Sequence, residues 1–332
     1  MLILVQLVLL ILGLIILLKG ADFLVDGSSA MAKIFKVPTI LIGLTIVSFG
    51  TSAPELLTSL TSVVQGSPDI SLGNIIGSNI TNILLILGIA AIINPLQLKS
   101  NTVWKEIPLA ILAALAMILF SVRATINSGA YRLLGENLRN RELVVGVIDR
   151  ADGITLLLFF AVFMYYAFSL SKKGLGEVFE IPKISMRRAA GLVLLGALSL
   201  GLGSNLLVDN AISLASALNI DESLVGLTIV AFGTSLPELA ATVAAAKKKQ
   251  ADLAVGNVVG SNIFNILFVL GVTTTVQPIE IGARNLIDML IMLVITVVLF
   301  VAAHFFGHQR ITKTEGYIML TGYLGYFAYL LY

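Results

Sequence analysis

The chain has 332 residues, of which 58% are apolar and only 12% charged, with a net charge of +2 and no cysteine. The charged share is about half that of an ordinary soluble domain, and a mean hydropathy of +1.00 is too high for a water-facing surface. Soluble enzymes, disulfide scaffolds, disordered chains, nucleic-acid binders and thiolate or multi-histidine metal centres are thereby excluded, which leaves an all-α polytopic membrane protein in a lipid bilayer.

Apolar runs of about 20 residues mark membrane-spanning helices. Ten are predicted, over 2–32, 38–65, 70–93, 103–122, 152–171, 186–217, 223–246, 252–276, 285–306 and 314–332. The first has no basic leader and no small-residue cleavage pattern, so it reads as a span and not as a removed signal peptide. Spans one and six carry Gly13, Gly20, Gly196, Gly201 and Gly203, which fit close helix contacts. Between spans four and five a polar excursion, about 123–151, carries a predicted short strand at Leu143–Ile148. Lys172–Arg188 is a short linker between two halves, 1–172 and 173–332.

Positive charge sorts by connection. The odd-numbered connections carry Lys33, Lys36, Lys99, Lys105, Lys172, Lys173, Lys183, Arg187, Arg188, the Lys247–Lys249 run, Arg310 and Lys313. Outside the 123–151 excursion, the even ones carry only Arg284. The odd loops are therefore expected in the cytoplasm, and both termini outside a cell membrane crossed many times.

The halves repeat each other. The stretch from Gly43 to Leu56, ending Gly50-Thr51-Ser52-Ala53-Pro54-Glu55-Leu56, returns at Gly226 to Leu239, ending Gly233-Thr234-Ser235-Leu236-Pro237-Glu238-Leu239, at an offset of 183 positions. Without a gap the same offset pairs Asp26 with Asp209, Asp69 with Asp252, Gly73-Asn74 with Gly256-Asn257, and Pro95 with Pro278. It also pairs Gly77-Ser78-Asn79-Ile80-Thr81-Asn82 with Gly260-Ser261-Asn262-Ile263-Phe264-Asn265. Five spans per half is an odd number, so the second half enters from the opposite side. Two inverted five-helix repeats are expected, with helices 2, 3, 7 and 8 broken, the architecture of many secondary transporters.

Pro54 and Pro237 interrupt apolar segments and disturb the carbonyls of Gly50 and Gly233, four residues back. Freed carbonyls inside a membrane need protein or ion partners. Glu55 and Glu238 follow the prolines directly. A carboxylate at mid-membrane costs about 2.5–3.5 kcal/mol on insertion scales, which marks it as functional. Two such groups match one divalent cation. With the Thr51 and Thr234 carbonyls and water they could supply the 6–8 or so oxygens that calcium takes, and sodium accepts the same donors. Ser52 and Ser235 also complete capping boxes with these glutamates, a purely structural role. Ser78 and Asn82, like Ser261 and Asn265, share one helix face. They read as an ion-binding polar wall, or as interhelical hydrogen-bond glue with Gly73, Gly77, Gly256 and Gly260 permitting close packing. Asn74, Asn79, Asn257 and Asn262 read as packing residues. Asp26 and Asp209 read as caps or interface residues, Asp69 and Asp252 as N-terminal helix stabilisers, and His304 and His308 as interfacial.

Across nearly the whole chain apart from 123–151, these four motifs resemble the two alpha repeats of the calcium/cation antiporter superfamily, and most closely its prokaryotic sodium/calcium exchangers. The resemblance implies a ten-helix fold and an antiporter exchanging sodium for calcium, typically three for one, by alternating access, with no cofactor and no obligate protein partner. It implies that Glu55 and Glu238 bind calcium and share in sodium sites, and that Thr51 and Thr234 offer backbone carbonyls. Ser52, Ser78, Ser235 and Ser261 would be mainly sodium ligands, with Asn82 and Asn265 completing the set. Spans one and six would slide as a gate. Asn265 departs from the aspartate that many members carry there, which leaves two carboxylates and bears on potassium dependence and stoichiometry. Proton/calcium exchange is the alternative; those relatives usually show Gly-Asn-Ala before the glutamate, where this chain has Gly-Thr-Ser in the first repeat and in the second.

Overall fold

The computed structural model describes residues 2–98, 102–127, 144–171, 184–217, 233–306 and 309–331. The motif residues 226–232, most of the 123–151 excursion, most of the linker and His308 lie outside the described residues.

Helices dominate. In chain order they are α1 (Leu2–Phe35), α2 (Thr39–Thr51), α3 (Ala53–Val64), α4 (Pro68–Ile93), α5 (Ile107–Asn127), α6 (Arg150–Ser171), α7 (Met186–Ala217), α8 (Leu236–Lys247), α9 (Ala251–Val276), α10 (Ala283–Val301) and α11 (Lys313–Leu331). Among the described residues seven helices are long and apolar enough to cross a membrane, or eight if the bent pair α2–α3 is one span. Ten were expected. One difference is α8, whose first half would fall on 223–232. Another is α11, long enough but diluted by Tyr317, Tyr323, Tyr326, Tyr329 and three glycines.

The bend between α2 and α3 is 45° and sits at Ser52, just before Pro54. A proline in the first turn of a helix sacrifices no intrahelical bond, so the chain restarts there. Spans 68–93 and 251–276 behave differently from the expected break: each continues as one helix and widens into a π-helical stretch, Asn82–Leu87 and Asn265–Val269. Neither stretch contains proline, so the backbone changes register without losing continuity. Such π-bulges often accompany functional positions, and here each begins at a motif asparagine.

The self-similarity extends to the backbone of the turns. After α3, Gln65, Gly66 and Ser67 donate to the Thr61, Val63 and Ser62 carbonyls. After α8, Lys248, Lys249 and Gln250 donate to the Ala244, Ala246 and Ala245 carbonyls, the same pattern at the same offset. Both turns need a left-handed residue, Gly66 at φ +78° and Lys249 at φ +57°; glycine adopts it freely, lysine at a cost. Two short antiparallel pairs also match. β1 (Leu96–Gln97) pairs with β4 (Arg310–Ile311), and β2 (Val144–Ile148) pairs with β3 (Ile279–Gly282). β1 and β3 each follow a repeat-related proline, and β2 is the strand expected in the excursion.

Spans 68–93 and 251–276 are the most deeply buried, and α1 and α7 the least. A helix apolar all round and enclosed is a core element, whereas one with an exposed apolar face meets lipid. Leu4, Val8, Ile11 and Ile15 on α1 and Leu194, Leu198 and Leu202 on α7 are exposed in this way. The two helices pack backbone to backbone. A Cβ added to Gly203 would lie 2.5 Å from Leu17 N, and one added to Gly196 2.5 Å from Leu24 N; at Gly13 and Gly20 the nearest atoms would lie at 2.8 Å and 2.7 Å. Gly201 is different: no described atom comes within 4 Å of its added Cβ.

Candidate ion site

The N-termini of α3 and α8 place the two glutamates. Glu55 and Glu238 each lie in the first turn after the proline, and each is fully buried. Ser52 and Ser235 occupy the N-cap positions, yet neither side chain makes a cap hydrogen bond. The capping-box reading therefore fails. The Ser52 hydroxyl instead crosses between the halves and donates to Glu238 Oε1 at 2.9 Å. Ser52 comes from the first repeat and Glu238 from the second, so this bond links the two, and both glutamates are enclosed by protein and not by lipid.

The surrounding oxygens are unusually unsatisfied. Neither Glu55 carboxylate oxygen has a partner at hydrogen-bond geometry, nor do Glu238 Oε2, Ser235 Oγ, Ser261 Oγ, Asn82 Oδ1 and Asn265 Oδ1, although Thr234 approaches Glu55 while Thr51 and Ser261 approach Glu238. Buried polar atoms are normally paired, and an unpaired one costs about 1–3 kcal/mol. Unpaired carboxylate, amide and hydroxyl oxygens concentrated around two glutamates are the groups that a cation would satisfy. Among the described residues no group of three or more His, Cys, Asp or Glu side chains could hold a metal, so carbonyls, hydroxyls and amides must complete any coordination shell.

The asparagine amides are oriented by their neighbours. Asn262 Nδ2 donates to the Asn79 backbone carbonyl at 3.2 Å, so Asn262 Oδ1 accepts from Asn82 Nδ2 at 2.9 Å. Asn79 Nδ2 meets the Met292 thioether at 3.5 Å, so Asn79 Oδ1 accepts from Asn265 Nδ2 at 3.3 Å. A carbonyl and a thioether can only accept. Each chain of bonds therefore ends with the motif asparagine donating to its partner and its own Oδ1 left over, the polarity a cation site needs. Asn79 and Asn262 were read from the sequence as packing residues; their role as orienting groups needs the two repeats brought together and is invisible in one helix.

Nine of the ten expected residues are buried, Ser78 and Asn82 on α4 and Ser261 and Asn265 on α9 among them, and Thr234 is half-buried. Gly256 and Gly260 do allow close packing, against Gly43 and Leu44 of α2, whereas Gly73 and Gly77 have no described atom within 4 Å of an added Cβ. The latter line a cavity of about 940 Å³ together with Gly50, Asn74, Ser78 and Thr234; it extends to Asp209, Asn285 and Asp288. Asp288, at the start of a span, has Lys105 at the equivalent position of the first repeat, so the self-similarity leaves it unmarked. Both Gly50 and Gly233 border the cavity, and the Gly233 carbonyl accepts from Ser204 Oγ at 2.7 Å.

α1 packs against α8 as well as against α7. Lys248, just after α8, binds Asp26 at 2.8 Å and Asp22 at 3.2 Å, and the Ser29 hydroxyl donates to Gln250 Oε1. Asp26 is thus an ion-pair partner and not a cap. Asp69 and Asp252 sit in the first turns of their helices as expected for dipole stabilisation, while Ser67 and Gln250 hold the N-cap positions. His304 packs edge-on against Trp104, with ring centroids 4.5 Å apart.

A family model described as "Sodium/calcium exchanger protein" matches residues 5–169 and 188–332. The chain is 38% identical over 340 aligned positions to a "Putative antiporter CaxA" of Alkalimonas amylolytica, covering 99% of both chains. It is 28% identical to "Sodium/calcium exchanger MaX1" of Methanosarcina acetivorans, again over 99% of both. Its structure is similar to that of the sodium-calcium exchanger NCX_Mj soaked with 10 mM sodium, with a TM-score of 0.80 and 31% identity over 98% of this chain and 99% of that one.

Proposed function

Because the chain belongs to the sodium/calcium exchanger family, a family of membrane cation antiporters, we propose that it exchanges sodium for calcium by alternating access. The observation that supports this reading is a pair of fully buried glutamates, one from each repeat, amid buried oxygens that lack partners, with Ser52 of one repeat bonded to Glu238 of the other. Calcium occupies the glutamate pair with the Thr51 and Thr234 carbonyls. Sodium ions use the same carboxylates with Ser52, Ser78, Ser235, Ser261, Asn82 and Asn265. The two loads exclude each other because they share the charged groups.

The architecture belonging to this reading is ten spans in two inverted five-helix repeats, 1–172 and 173–332, with odd loops cytoplasmic and both termini outside. In that orientation the cavity opens outward, and α1 with its Lys248 ion pairs closes the inner side. The glycine seam between α1 and α7 supports a pair of helices that slides as one body over the buried core. An empty, doubly negative site resists crossing an apolar gate, because uncompensated buried charge is costly; exchange is thereby favoured over leak. Three sodium ions for one calcium moves one net charge, worth about 2.3 kcal/mol per 100 mV, so an inside-negative cell exports calcium.

The test is flux into vesicles loaded with sodium. Labelled calcium enters the wild type, and Glu55→Gln and Glu238→Gln each abolish entry. Uptake driven by a pH gradient without sodium would convert the reading to proton/calcium antiport. Undiminished exchange in both variants would remove the site.

A further inference from the structure

Two asparagines outside the proposed ligand set form a matched pair of brackets across the repeat seam. Asn257 Nδ2 donates to the Glu238 carbonyl at 3.4 Å and to Thr242 Oγ1 at 2.9 Å, while Asn257 Oδ1 accepts from the Thr51 hydroxyl at 3.1 Å. In the other half Asn74 Nδ2 donates to the Glu55 carbonyl at 3.3 Å and to Ser59 Oγ at 3.0 Å, while Asn74 Oδ1 accepts from the Thr234 hydroxyl at 3.0 Å. Every partner is the counterpart of its equivalent at the offset of 183.

The polarity of each bracket is fixed. The glutamate carbonyl only accepts, so the amide nitrogen must face it and the amide oxygen must face the threonine. The threonine hydroxyl is then engaged as a donor. Without that acceptor the Thr51 hydroxyl falls back on the Ser48 carbonyl of its own helix, 3.4 Å away, and the link between Thr51 and the Glu238 backbone is lost. The threonine carbonyl then has no fixed position relative to the carboxylates, and a ligand without such support binds a cation less well.

We propose that Asn257 and Asn74 are positioning residues for ion binding: each holds a motif threonine of one repeat to the motif glutamate backbone of the other and so keeps the threonine carbonyl in place for the ion. This deepens the exchange reading and rests on it. The two brackets are unequal. Asn257 and Thr51 are sealed, whereas Asn74 and Thr234 are half-buried and border the cavity. Water can replace a lost hydrogen bond at the second bracket and not at the first. Loss of Asn257 is therefore the more damaging.

The experiment measures calcium binding to the purified protein and calcium flux in vesicles, with the thermal midpoint in chelator as the control for folding. Asn257→Ala raises the half-saturating calcium concentration about tenfold and also lowers the midpoint in chelator, because it leaves sealed groups unpaired; Asn74→Ala raises it about two- to threefold with a midpoint close to wild type. Thr51→Val, which keeps the shape and the carbonyl, reproduces Asn257→Ala. The double variant is no worse than either single one, because both delete one bracket, and Thr51→Ser restores wild-type affinity. Wild-type affinity in Asn257→Ala and Thr51→Val, or multiplied effects in the double variant, overturns the bracket while loss of binding in Glu55→Gln and Glu238→Gln keeps the site. Unchanged calcium binding in all of them, the glutamine variants included, overturns both. A fall in the midpoint in chelator with unchanged affinity assigns Asn257 a structural role and overturns the proposal.

Discussion

The Ser52 hydroxyl donates to Glu238 Oε1 at 2.9 Å from the position where it would be expected to cap its own helix. A serine N-cap usually stabilises a helix by about 1 kcal/mol; here that bond is absent, and the hydroxyl serves the carboxylate of the other repeat. Ser52→Ala should therefore leave the thermal midpoint in chelator nearly unchanged. The half-saturating sodium concentration for calcium release should rise about tenfold, the order of one hydrogen bond to a charged group. A large drop in the midpoint with wild-type sodium dependence would restore the capping role.

Burying Glu55 and Glu238 together makes the empty site a stability liability that a bound cation relieves. Calcium at 100 times its dissociation constant should stabilise the wild type by about 2.7 kcal/mol through mass action. Glu55→Gln and Glu238→Gln should be at least as stable as the wild type in chelator and should lose the calcium-dependent rise. Differential scanning of purified protein in chelator and in calcium checks both signs; an equal rise in the glutamine variants would place calcium elsewhere.

Lys248 pairs with Asp22 and Asp26 of α1, but its counterpart in the first repeat is Gln65. Among the described residues this ion pair has no equivalent at Gln65, and under the exchange reading it favours the state in which α1 lies against α8. These groups are partly exposed, so each pair contributes little, and removing both should shift the balance between the two facing states by about two- to fivefold. The absence of cysteine permits single-cysteine probes directly. In the wild type, cysteine at Thr58, which lines the cavity, should label readily, and cysteine at the buried Ala241, its counterpart, should be protected. Lys248→Gln should raise labelling at position 241 and lower it at 58. Unaltered labelling at both would show that the ion pairs do not bias the gate.

The contact between α1 and α7 depends on particular glycines. An alanine at Gly203 would bring its Cβ to 2.5 Å from Leu17 N and 2.8 Å from Gly13 O, whereas at Gly201 it meets no described atom within 4 Å. Overpacking of this kind costs about 1–3 kcal/mol. Gly203→Ala should lower both the thermal midpoint and exchange, and Gly201→Ala should leave both near wild type. Equal behaviour of the two variants, read by flux and midpoint together, would mean that the seam is not tight.

Much of the site was legible because the repeat marks it twice. Glu55 and Glu238, the prolines before them and the Ser78–Asn82 and Ser261–Asn265 pairs stood out through an offset that chance does not sustain. Periodicity also located most spans and the β2 strand, since length and hydropathy are local properties. The π-helical stretches were not legible: widening one turn changes no hydropathy, and the expected breaks in spans 68–93 and 251–276 had no proline to mark where they would fall. Nor was Asp288 marked, because Lys105 stands at its repeat position and it lies at the edge of a span.

The chain alone determined that polar groups would be buried in an apolar medium, and which ones, because carboxylates and amides in such segments have few structural uses. Tertiary packing alone decided which atoms they present. Whether Ser52 caps its helix or turns to Glu238, and whether Asn82 offers a nitrogen or an oxygen, depends on partners some 180 positions away in sequence. Hydrogen-bond polarity is a property of pairs, and these pairs exist only once the two halves have closed on each other.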